Sequence, residues 1–294
     1  MTVFCDAGHI AVPKHGQTLM TLLEPSIVIA RAPTAKGAFH PKIWLLRFVP
    51  TNDTEQVRYR LLVMSRNLTF DRSLDLIARL DGARRKESRP ARPALPIRSF
   101  VLSLPSLAVH SLERHHQERV QRIADEAGRC DFVGSAPFDE RAWRFHVFGL
   151  PGARGVSPLT NAVKRRVIVS PFLSSGAVNE AIAGTSETII ISRDAAFAEL
   201  DRTILESASA VLVPQRVLTE AASAEAESLE DTSDRVQPGD LHAKAYVLED
   251  GSSTANWYVG SANATTSAYH RNVEVLLELQ GPRQRVGIDA LLPA

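Results

Sequence analysis

The sequence predicts an α/β fold built from two related halves that are arranged with pseudo-twofold symmetry. Short stretches rich in β-branched and aromatic residues, which favour strands, alternate with stretches of helical apolar spacing. The order of these elements in the second half recurs in the first half. The same pair of polar motifs stands at the corresponding position in each half. We therefore expect a duplicated α/β/α sandwich with mixed sheets.

The second half contains the repeated order in its most complete form. Its predicted strands, in chain order, are 165–172, 188–191, 210–213, 241–248, 257–260 and 273–279. Helices are predicted at 176–182 and 195–205, the second of them clearly amphipathic. A polar and acidic stretch at 220–240 predicts a loop between the third and fourth strands.

The first half repeats this order but begins at its second strand. Residues 2–6, 26–30, 40–48, 59–64 and 74–80 match the five strands from 188–191 onward, and residues 17–23 match the second helix. Nothing ahead of Met1 corresponds to residues 165–184. The first half therefore lacks its opening strand and helix. We favour an N-terminally incomplete domain over a lost unit whose open strand edge is protected in another way.

The pattern divides the chain into three segments. Residues 1–82 form the first half, residues 83–160 a connector, and residues 161–294 the second half. In the connector we expect an exposed Arg- and Pro-rich loop at 83–98, a helix at 107–127 and an additional strand at 143–150. The Arg-rich loop follows the last strand of the first half and could reach a polyanionic backbone.

Composition limits the classes of protein to which the chain can belong. Its 294 residues are 44% hydrophobic, enough for a sizeable core in which we expect Trp44, Trp257 and Tyr258. The net charge of +1 is nearly balanced, so any basic surface for nucleic acid must be local. Cys5 and Cys130 form neither a metal-ligand pattern nor a disulfide framework. With no signal peptide and no stretch of ~18 apolar residues, we expect a cytoplasmic protein that does not bind membranes.

Two short motifs, each present once per half, carry the functional signal. One pairs a histidine with a lysine and the other pairs a serine with an asparagine, always two residues apart. Side chains that are two apart on a strand lie on the same face. Brought together, the motifs offer two imidazoles and a set of phosphate-binding donors, which suits a phosphodiester. The residues are His40, Lys42, Ser65, Asn67, His242, Lys244, Ser261 and Asn263.

These motifs resemble the signature of the phospholipase D superfamily, which is His-x-Lys, then Gly/Ser-Ser-x-Asn, then an acidic residue. The acidic residues here are Asp75 and Glu274, and the likeness covers residues 1–80 and 165–280. The full signature also has an aspartate five residues after the lysine, where this chain has Arg47 and Glu249. The pattern is therefore more similar to the branch of tyrosyl-DNA phosphodiesterases and metal-independent nucleases, which can lack that aspartate.

The resemblance implies a two-step phosphoryl transfer that needs no metal or other cofactor. One imidazole forms a phosphohistidine, and the other acts as acid and then as base. The family suggests His40 as the nucleophile and His242 as the acid and base, although the symmetry permits the reverse. The lysines, asparagines and serines of the motifs would bind the non-bridging oxygens. Asp75 and Glu274 would each bond the far nitrogen of an imidazole, with a solvated carboxylate as the alternative.

Three functions are compatible with the sequence. The first is a metal-independent nuclease or DNA phosphodiesterase of bacterial DNA repair or defence, with DNA favoured over RNA. The second is a phospholipid hydrolase or transferase, which the missing aspartate and the lack of an apolar lid or anchor disfavour. The third is a nucleic-acid-binding module whose truncated first half no longer orders His40. The sequence indicates no oligomeric state.

Overall fold

The computed structural model describes residues 1–7, 22–52, 56–67, 73–87, 89–212 and 241–292. Within these ranges the strands are β1 (Val3–Asp6), β2 (Ile27–Ala30), β3 (Ile43–Phe48), β4 (Arg58–Met64), β5 (Ile77–Arg84), β6 (Cys130–Val133), β7 (Trp143–Phe148), β8 (Val163–Val169), β9 (Thr185–Ile191), β10 (Ala210–Leu212), β11 (Ala245–Glu249), β12 (Thr254–Gly260) and β13 (Glu274–Pro282). The α-helices are α1 (Leu95–Leu107), α2 (Arg114–Ala127), α3 (Ser175–Ala183), α4 (Asp194–Ala198), α5 (Arg202–Ser207), α6 (Thr266–His270), α7 (Arg283–Val286) and α8 (Ile288–Leu291).

The second half is built on one continuous seven-stranded sheet with the order β10-β9-β8-β11-β12-β13-β7. β8, β9 and β10 run parallel to one another, and the other pairs are antiparallel. The strand β11, which follows the His-x-Lys motif, is central, and all five of its residues are buried. Val178, Phe197 and Ile204 of α3, α4 and α5 belong to the cluster that covers Tyr246 and Leu248 on its outer face.

The first half has a divided sheet. β1 and β2 form a parallel two-stranded sheet, while β3, β4, β5 and β6 form an antiparallel four-stranded sheet. β1 and β2 correspond to β9 and β10, and β3 to β5 correspond to β11 to β13. Among the described residues, no strand corresponds to β8. The motif strand β3 therefore lies at an edge of its sheet, and the predicted duplicated α/β fold is confirmed. Trp44 of β3 is 42% exposed, so the expectation that it lies in the core is wrong.

The two halves pack against each other through the inner faces of their sheets. The largest core cluster includes Leu61, Val63 and Leu80 from the first half and Val259 and Leu277 from the second. All five alternate with outward-facing residues along their strands, so one face of each sheet is buried against the other half. Burial of this shared apolar surface holds the halves in one arrangement.

Two backbone bridges cross between the halves at the ends of the motif strands. Phe39, which precedes the first motif histidine, pairs with Val273, which precedes the acidic residue of the second half. Leu241, which precedes the second motif histidine, pairs with Leu74, which precedes the acidic residue of the first half. Each His-x-Lys segment therefore runs beside the acidic segment of the opposite half.

The connector departs from its prediction. The loop predicted at 83–98 is wrong at both ends, since β5 and α1 extend into it. The single helix predicted at 107–127 is also wrong, because α1 ends at Leu107 and α2 begins only at Arg114. Two prolines in α1 make its sequence resemble that of irregular structure. Pro96 lies in the first turn, where no intrahelical N–H bond is needed, and Pro105 lies in the last turn.

The connector also gives each half an edge strand. β6 pairs with β5, and β7 pairs with β13 as the strand predicted at 143–150. The helix predicted at 195–205 is two short helices, α4 and α5. The helix predicted at 17–23 lies mostly outside the described residues, and the loop predicted at 220–240 lies entirely outside them. The boundaries of the three segments stay a prediction. In the part of the chain that the structure describes, none of the helices has the length and apolar character to cross a bilayer.

Candidate active site

The crossed bridges bring the two His-x-Lys motifs and both acidic residues to one seam between the halves. His40 contacts Glu274 of the opposite half, and the Lys244 ammonium donates to the backbone oxygen of Ser65 at 3.1 Å. Neither half therefore contains a complete site. The pairing of acids and imidazoles is crosswise between the halves. Glu274 bonds His40, whereas Asp75, at 3.7 Å from His242, does not form the expected bond.

His40 is oriented by a buried carboxylate. Its Nδ1 atom lies 2.9 Å and 3.0 Å from the two carboxylate oxygens of Glu274, which is fully buried. An ionised carboxylate only accepts hydrogen bonds, so Nδ1 donates and Nε2 presents its lone pair. The Lys42 Nζ atom is 2.7 Å from Nε2 and donates to it. Nε2 is thus the nitrogen of this imidazole whose lone pair points away from the carboxylate.

His242 has a different surrounding. Its Nδ1 atom is 3.1 Å from the Lys244 Nζ atom and 3.7 Å from Oδ1 of Asp75, so the acid is close but not hydrogen bonded. Burial, followed by the charges of Lys244, Lys42, Arg193 and Arg66, lowers the pKa of His242 from 6.5 to about 4. The imidazole is therefore neutral at pH 7 in the free site. A bound anion would offset the nearby cations and favour its protonated form.

The two lysines are buried and lie close enough to repel each other. Burial lowers the pKa of Lys42 to about 8, although Glu274 and Asp75 raise it in part. Burial and then the charge of Lys42 lower the pKa of Lys244 to about 7. Both ammonium groups are thus incompletely stabilised by the protein, and an anionic ligand would stabilise them further.

The two motif serines are fully buried and hold the backbone rather than facing an open site. Ser65 Oγ accepts from the N–H of Leu76 at 2.9 Å and donates to Asp75 at 3.1 Å. Ser261 Oγ accepts from the N–H of Val275 at 3.0 Å and donates to its carbonyl at 3.4 Å. The expectation that both hydroxyls bind phosphate oxygens is therefore wrong, because their protons are already engaged.

The two asparagines are held less tightly. Asn67 is exposed. Asn263 is partly buried, and its Oδ1 atom has no hydrogen-bond partner among the described residues. Each follows its serine by two residues, so the serine bonds anchor the loop from which the amide projects. A role of these amides in binding a ligand stays a prediction.

The residues at the position of the family's missing aspartate have structural contacts. Arg47 donates to Glu126 of α2 at 2.6 Å, on the inner face of the first half. Glu249 is buried and accepts from the N–H of Ile288, at the start of α8, at 2.8 Å. Neither bonds a motif residue, so both side chains serve the packing of helices on their strands.

Three further residues belong to the site although the sequence did not single them out. Asn272 donates to Glu274 at 3.1 Å and accepts from the N–H of Ala38, so it fixes the carboxylate that orients His40. Arg66 contacts Asp75 at 2.5 Å, and Arg193 contributes to the lowered pKa of His242. Arg66 could have been found as the variable residue of its Ser-x-Asn motif. Arg193 could not, since it is brought near only by the turn after β9.

The site is rich in nitrogen donors and poor in metal ligands. Within the described ranges, no group of three or more His, Cys, Asp and Glu side chains is arranged to hold a metal ion. The positive groups near the two imidazoles are Lys42, Lys244, Arg66 and Arg193, against the carboxylates of Asp75 and Glu274. Such a set can bind a phosphate group and stabilise negative charge that develops on it.

Comparison with known proteins gives a relationship in structure only. By sequence, no protein-family model and no curated protein matches the chain. The structure is similar to that of a histidine-to-alanine mutant of the yeast tyrosyl-DNA phosphodiesterase, with a TM-score of 0.54 and 11% identity over 97% of this chain and 77% of that chain. A histidine-to-asparagine mutant gives a TM-score of 0.51 and 13% identity over the same shares. The yeast protein is a phospholipase D superfamily member, so the resemblance found in the motifs is confirmed at the level of the fold.

Proposed function

We propose that the protein is a metal-independent phosphodiesterase that cleaves DNA through a phosphohistidine intermediate. One observation carries the proposal. His40 and His242, from opposite halves, each bond a lysine of one buried cationic cluster, and His40 is oriented by the Glu274 carboxylate at 2.9 Å. The similarity to the yeast tyrosyl-DNA phosphodiesterase supports DNA as the substrate class.

In the first step, Nε2 of His40 attacks phosphorus. The new N–P bond forms as the bond from phosphorus to the leaving oxygen breaks, and protonated His242 gives its proton to that oxygen. Glu274 stabilises the positive charge that develops on the His40 ring through its bond to Nδ1. Lys42, which bonds Nε2 in the free site, is free to bind a non-bridging oxygen once Nε2 is engaged.

In the second step, the intermediate is hydrolysed. His242, now neutral, takes a proton from water as the water oxygen attacks phosphorus. The N–P bond breaks and its electron pair returns to Nε2 of His40. Because the pKa of His242 is lowered to about 4 in the free site, its ring is unprotonated there and can accept that proton. The negative charge of the substrate, held near Lys42 and Lys244, raises that pKa for the acid role in the first step.

The cationic side chains supply the positive charge that a divalent cation supplies in many phosphoryl transfers. Lys42 and Lys244 approach from opposite halves and can contact different non-bridging oxygens. The amides of Asn67 and Asn263 are proposed as neutral donors to the same oxygens. Bacterial DNA repair or defence is the cellular role proposed for this chemistry.

The test is cleavage in the presence of EDTA. Labelled single- and double-stranded DNA, RNA, bis(p-nitrophenyl) phosphate and phosphatidylcholine are incubated with the protein, and we expect DNA and the synthetic diester to be cleaved. His40→Ala and His242→Ala should remove turnover while the thermal unfolding midpoint is retained. Denaturing gels of His242→Ala with labelled DNA should reveal a trapped phosphoprotein, which identifies His40 as the nucleophile.

Other outcomes would contradict the proposal in defined ways. Activity that disappears in EDTA and returns with magnesium would exclude the metal-independent mechanism. Cleavage of phosphatidylcholine alone would favour a phospholipid hydrolase. Steeply salt-dependent binding of oligonucleotides without cleavage would favour a nucleic-acid-binding module.

A further inference from the structure

The strand β5 has an open edge over its first residues, because β6 pairs with it only over Asp81–Arg84. Consecutive residues of an antiparallel strand direct their backbone groups to opposite edges in turn. Leu76 bonds toward β4, since the N–H of Ser65 donates to its carbonyl at 3.0 Å. The N–H and C=O groups of Ile77 and Arg79 therefore point to the other edge, where no strand among the described residues pairs with them.

A largely apolar cavity of about 430 Å³ lies beside this edge. Its floor is the inner face of the second-half sheet, where Trp257, Val259 and Leu279 line it. Its walls are residues 76–79 of the first half, the turn at 135–138 that follows β6, and the helices α7 and α8. The cavity has the size of a ligand site, ~300–1,000 Å³, and it follows the unpaired part of β5 between the two halves.

The charged side chains that line the cavity are both positive. They are Arg79 and Arg285, and no acidic side chain is among the described residues that line it. Arg79 is half-exposed and contacts Asp81 at 2.7 Å on the outer face of the sheet. Arg285 is exposed and has no ion-pair partner in the part of the chain that the structure describes. The cavity and its edge therefore favour a ligand that is both apolar and acidic.

We propose that the open edge of β5 and the adjoining cavity form a docking surface for an extended acidic peptide segment of a partner protein. The segment adds to the first-half sheet as an antiparallel strand in line with β6. Strand addition to a free edge is a general mode of peptide recognition, in which backbone bonds give affinity and pockets for alternate side chains give specificity. None of the residues that carry this proposal belongs to the candidate active site, so it does not rest on the proposed function.

The backbone groups of the edge favour a polypeptide over a polyanion. Ile77 and Arg79 each offer one N–H donor and one C=O acceptor to the same side. Another polypeptide carries donors and acceptors at the same spacing and can satisfy all four groups. A nucleic acid would contact the two arginines, but its phosphates only accept hydrogen bonds and would leave both carbonyls unpaired.

The register defines the side chains that the segment presents. Directly opposite residues of paired strands point to the same face of a sheet. Ala78 is buried and lines the cavity, so the residue opposite it points inward and is apolar. Ile77 and Arg79 are exposed, so the residues opposite them point outward, and an acidic one opposite Arg79 meets its guanidinium. Apolar and acidic residues therefore alternate in the segment, and Arg285 is available to a further acidic residue.

Titration with a designed peptide tests the docking. The probe is acetyl-Glu-Val-Glu-Leu-Glu-Val-amide, and the control peptide, acetyl-Glu-Glu-Glu-Val-Leu-Val-amide, has the same composition without the alternation. In calorimetric titrations we expect the probe to bind at least about tenfold more tightly than the control. Hydrogen exchange of the Ile77 and Arg79 amides should slow by about tenfold or more when the probe is bound, while exchange of the β11 amides stays unchanged.

Two variants test the edge and the charge separately. Ile77→Pro removes one N–H of the open edge, and proline is tolerated at the first residue of a strand. Arg285→Glu reverses the charge of the arginine that has no described partner. Each should weaken binding of the probe by about tenfold or more while the thermal unfolding midpoint is retained. Arg283→Glu is the matched control, because Arg283 is an exposed residue of the same helix that does not line the cavity.

Four outcomes would overturn the proposal. The first is no binding of the probe at concentrations up to about 1 mM. The second is equal affinity for the probe and the control peptide, or unchanged exchange of the Ile77 and Arg79 amides at saturation. The third is protection of these amides as the concentration of the peptide-free protein is raised, since the occupant is then a second copy. The fourth is protection by a single-stranded oligonucleotide but not by the probe, since the surface then binds nucleic acid.

Discussion

The two motif strands, β3 and β11, differ in their position in the sheet and in their burial, although the same His-x-Lys motif precedes both. β11 is central in a seven-stranded sheet and completely buried, while β3 is the edge of a four-stranded sheet and partly exposed. Yet Lys42 and Lys244 are both buried, and each bonds the histidine of its own motif. The order of the site therefore does not come from the sheet that carries each motif.

Backbone contacts between the two halves hold both motif histidines in place. The His40 backbone N–H donates to the carbonyl of Val273, and the His242 N–H donates to that of Leu74. These bonds fix each histidine against the opposite half, whether its own sheet is complete or not. The comparison predicts that changes at the seam affect both motifs, while changes on the outer faces affect the two halves unequally.

The largest effect should separate the two acidic residues. Glu274→Gln removes the charge that His40 contacts, and we expect turnover to fall by about 10⁴-fold, the loss caused by neutralising the orienting carboxylate of a catalytic histidine. The factor by which Asp75→Asn lowers turnover should be at least about ten times smaller than that for Glu274→Gln. The reason is that the distance of 3.7 Å between Asp75 and His242 is too long for a hydrogen bond. Asp81→Asn, on the outer side of the same sheet, is the control and should retain activity. Equal losses for both acids would mean that the site is symmetric.

Truncation of matched leucines tests the difference in packing. Leu248→Ala, on β11, should lower the free energy of unfolding by about 3 kcal/mol because it leaves a cavity under α3 and α4. Leu46→Ala, at the corresponding position of β3, should lower it by about 1 kcal/mol or less, since this side chain is only partly buried. Urea unfolding of both variants gives the comparison. A larger loss for Leu46→Ala would mean that its face is already covered.

A glycine distinguishes the two Ser-x-Asn motifs. Gly260 precedes Ser261, and a Cβ atom there would meet the carbonyl oxygen of Val275 at 2.2 Å, whereas the first half has Met64 at this position. Gly260→Ala should therefore lower the free energy of unfolding by about 2 kcal/mol. Gly184→Ala, whose Cβ would have 3.7 Å to its nearest neighbour, is the control and should change stability little. If Gly260→Ala left the free energy of unfolding unchanged, β13 would be free to shift at this point.

The pH dependence of binding should distinguish the lysines. Their pKa values in the free site are lowered to about 7 for Lys244 and about 8 for Lys42, and a bound anion favours their charged forms. Binding therefore takes up protons above pH 7, and affinity falls as the pH rises. For a dinucleotide bound to the His40→Ala protein, we expect a decrease of about tenfold between about pH 6 and about pH 9. Lys244→Met should remove the lower step. Lys42→Met should remove the upper step and also move the lower one to higher pH, because the charge of Lys42 contributes to the lowered pKa of Lys244. An affinity independent of pH would contradict both assignments.

Sequence reasoning found the elements whose pattern is local. The strands around the motifs carry β-branched and aromatic runs, and the repeat makes each half a check on the other. It failed for α1, where Pro96 and Pro105 resemble loop residues although both lie in terminal turns. It also failed for Ser65 and Ser261, since nothing in a Ser-x-Asn motif indicates that the hydroxyl accepts a backbone N–H from the neighbouring strand segment.

The order of residues along the chain determined the duplicated α/β fold and the set of histidines and lysines, because periodicity and spacing are properties of neighbours. The crosswise pairing of His40 with Glu274, the recruitment of Arg193 and Asn272, and the lowered pKa values were decided only by the tertiary structure. These features depend on which surfaces the packing of the two sheets brings together and removes from water, and contacts between residues more than two hundred positions apart leave no local pattern.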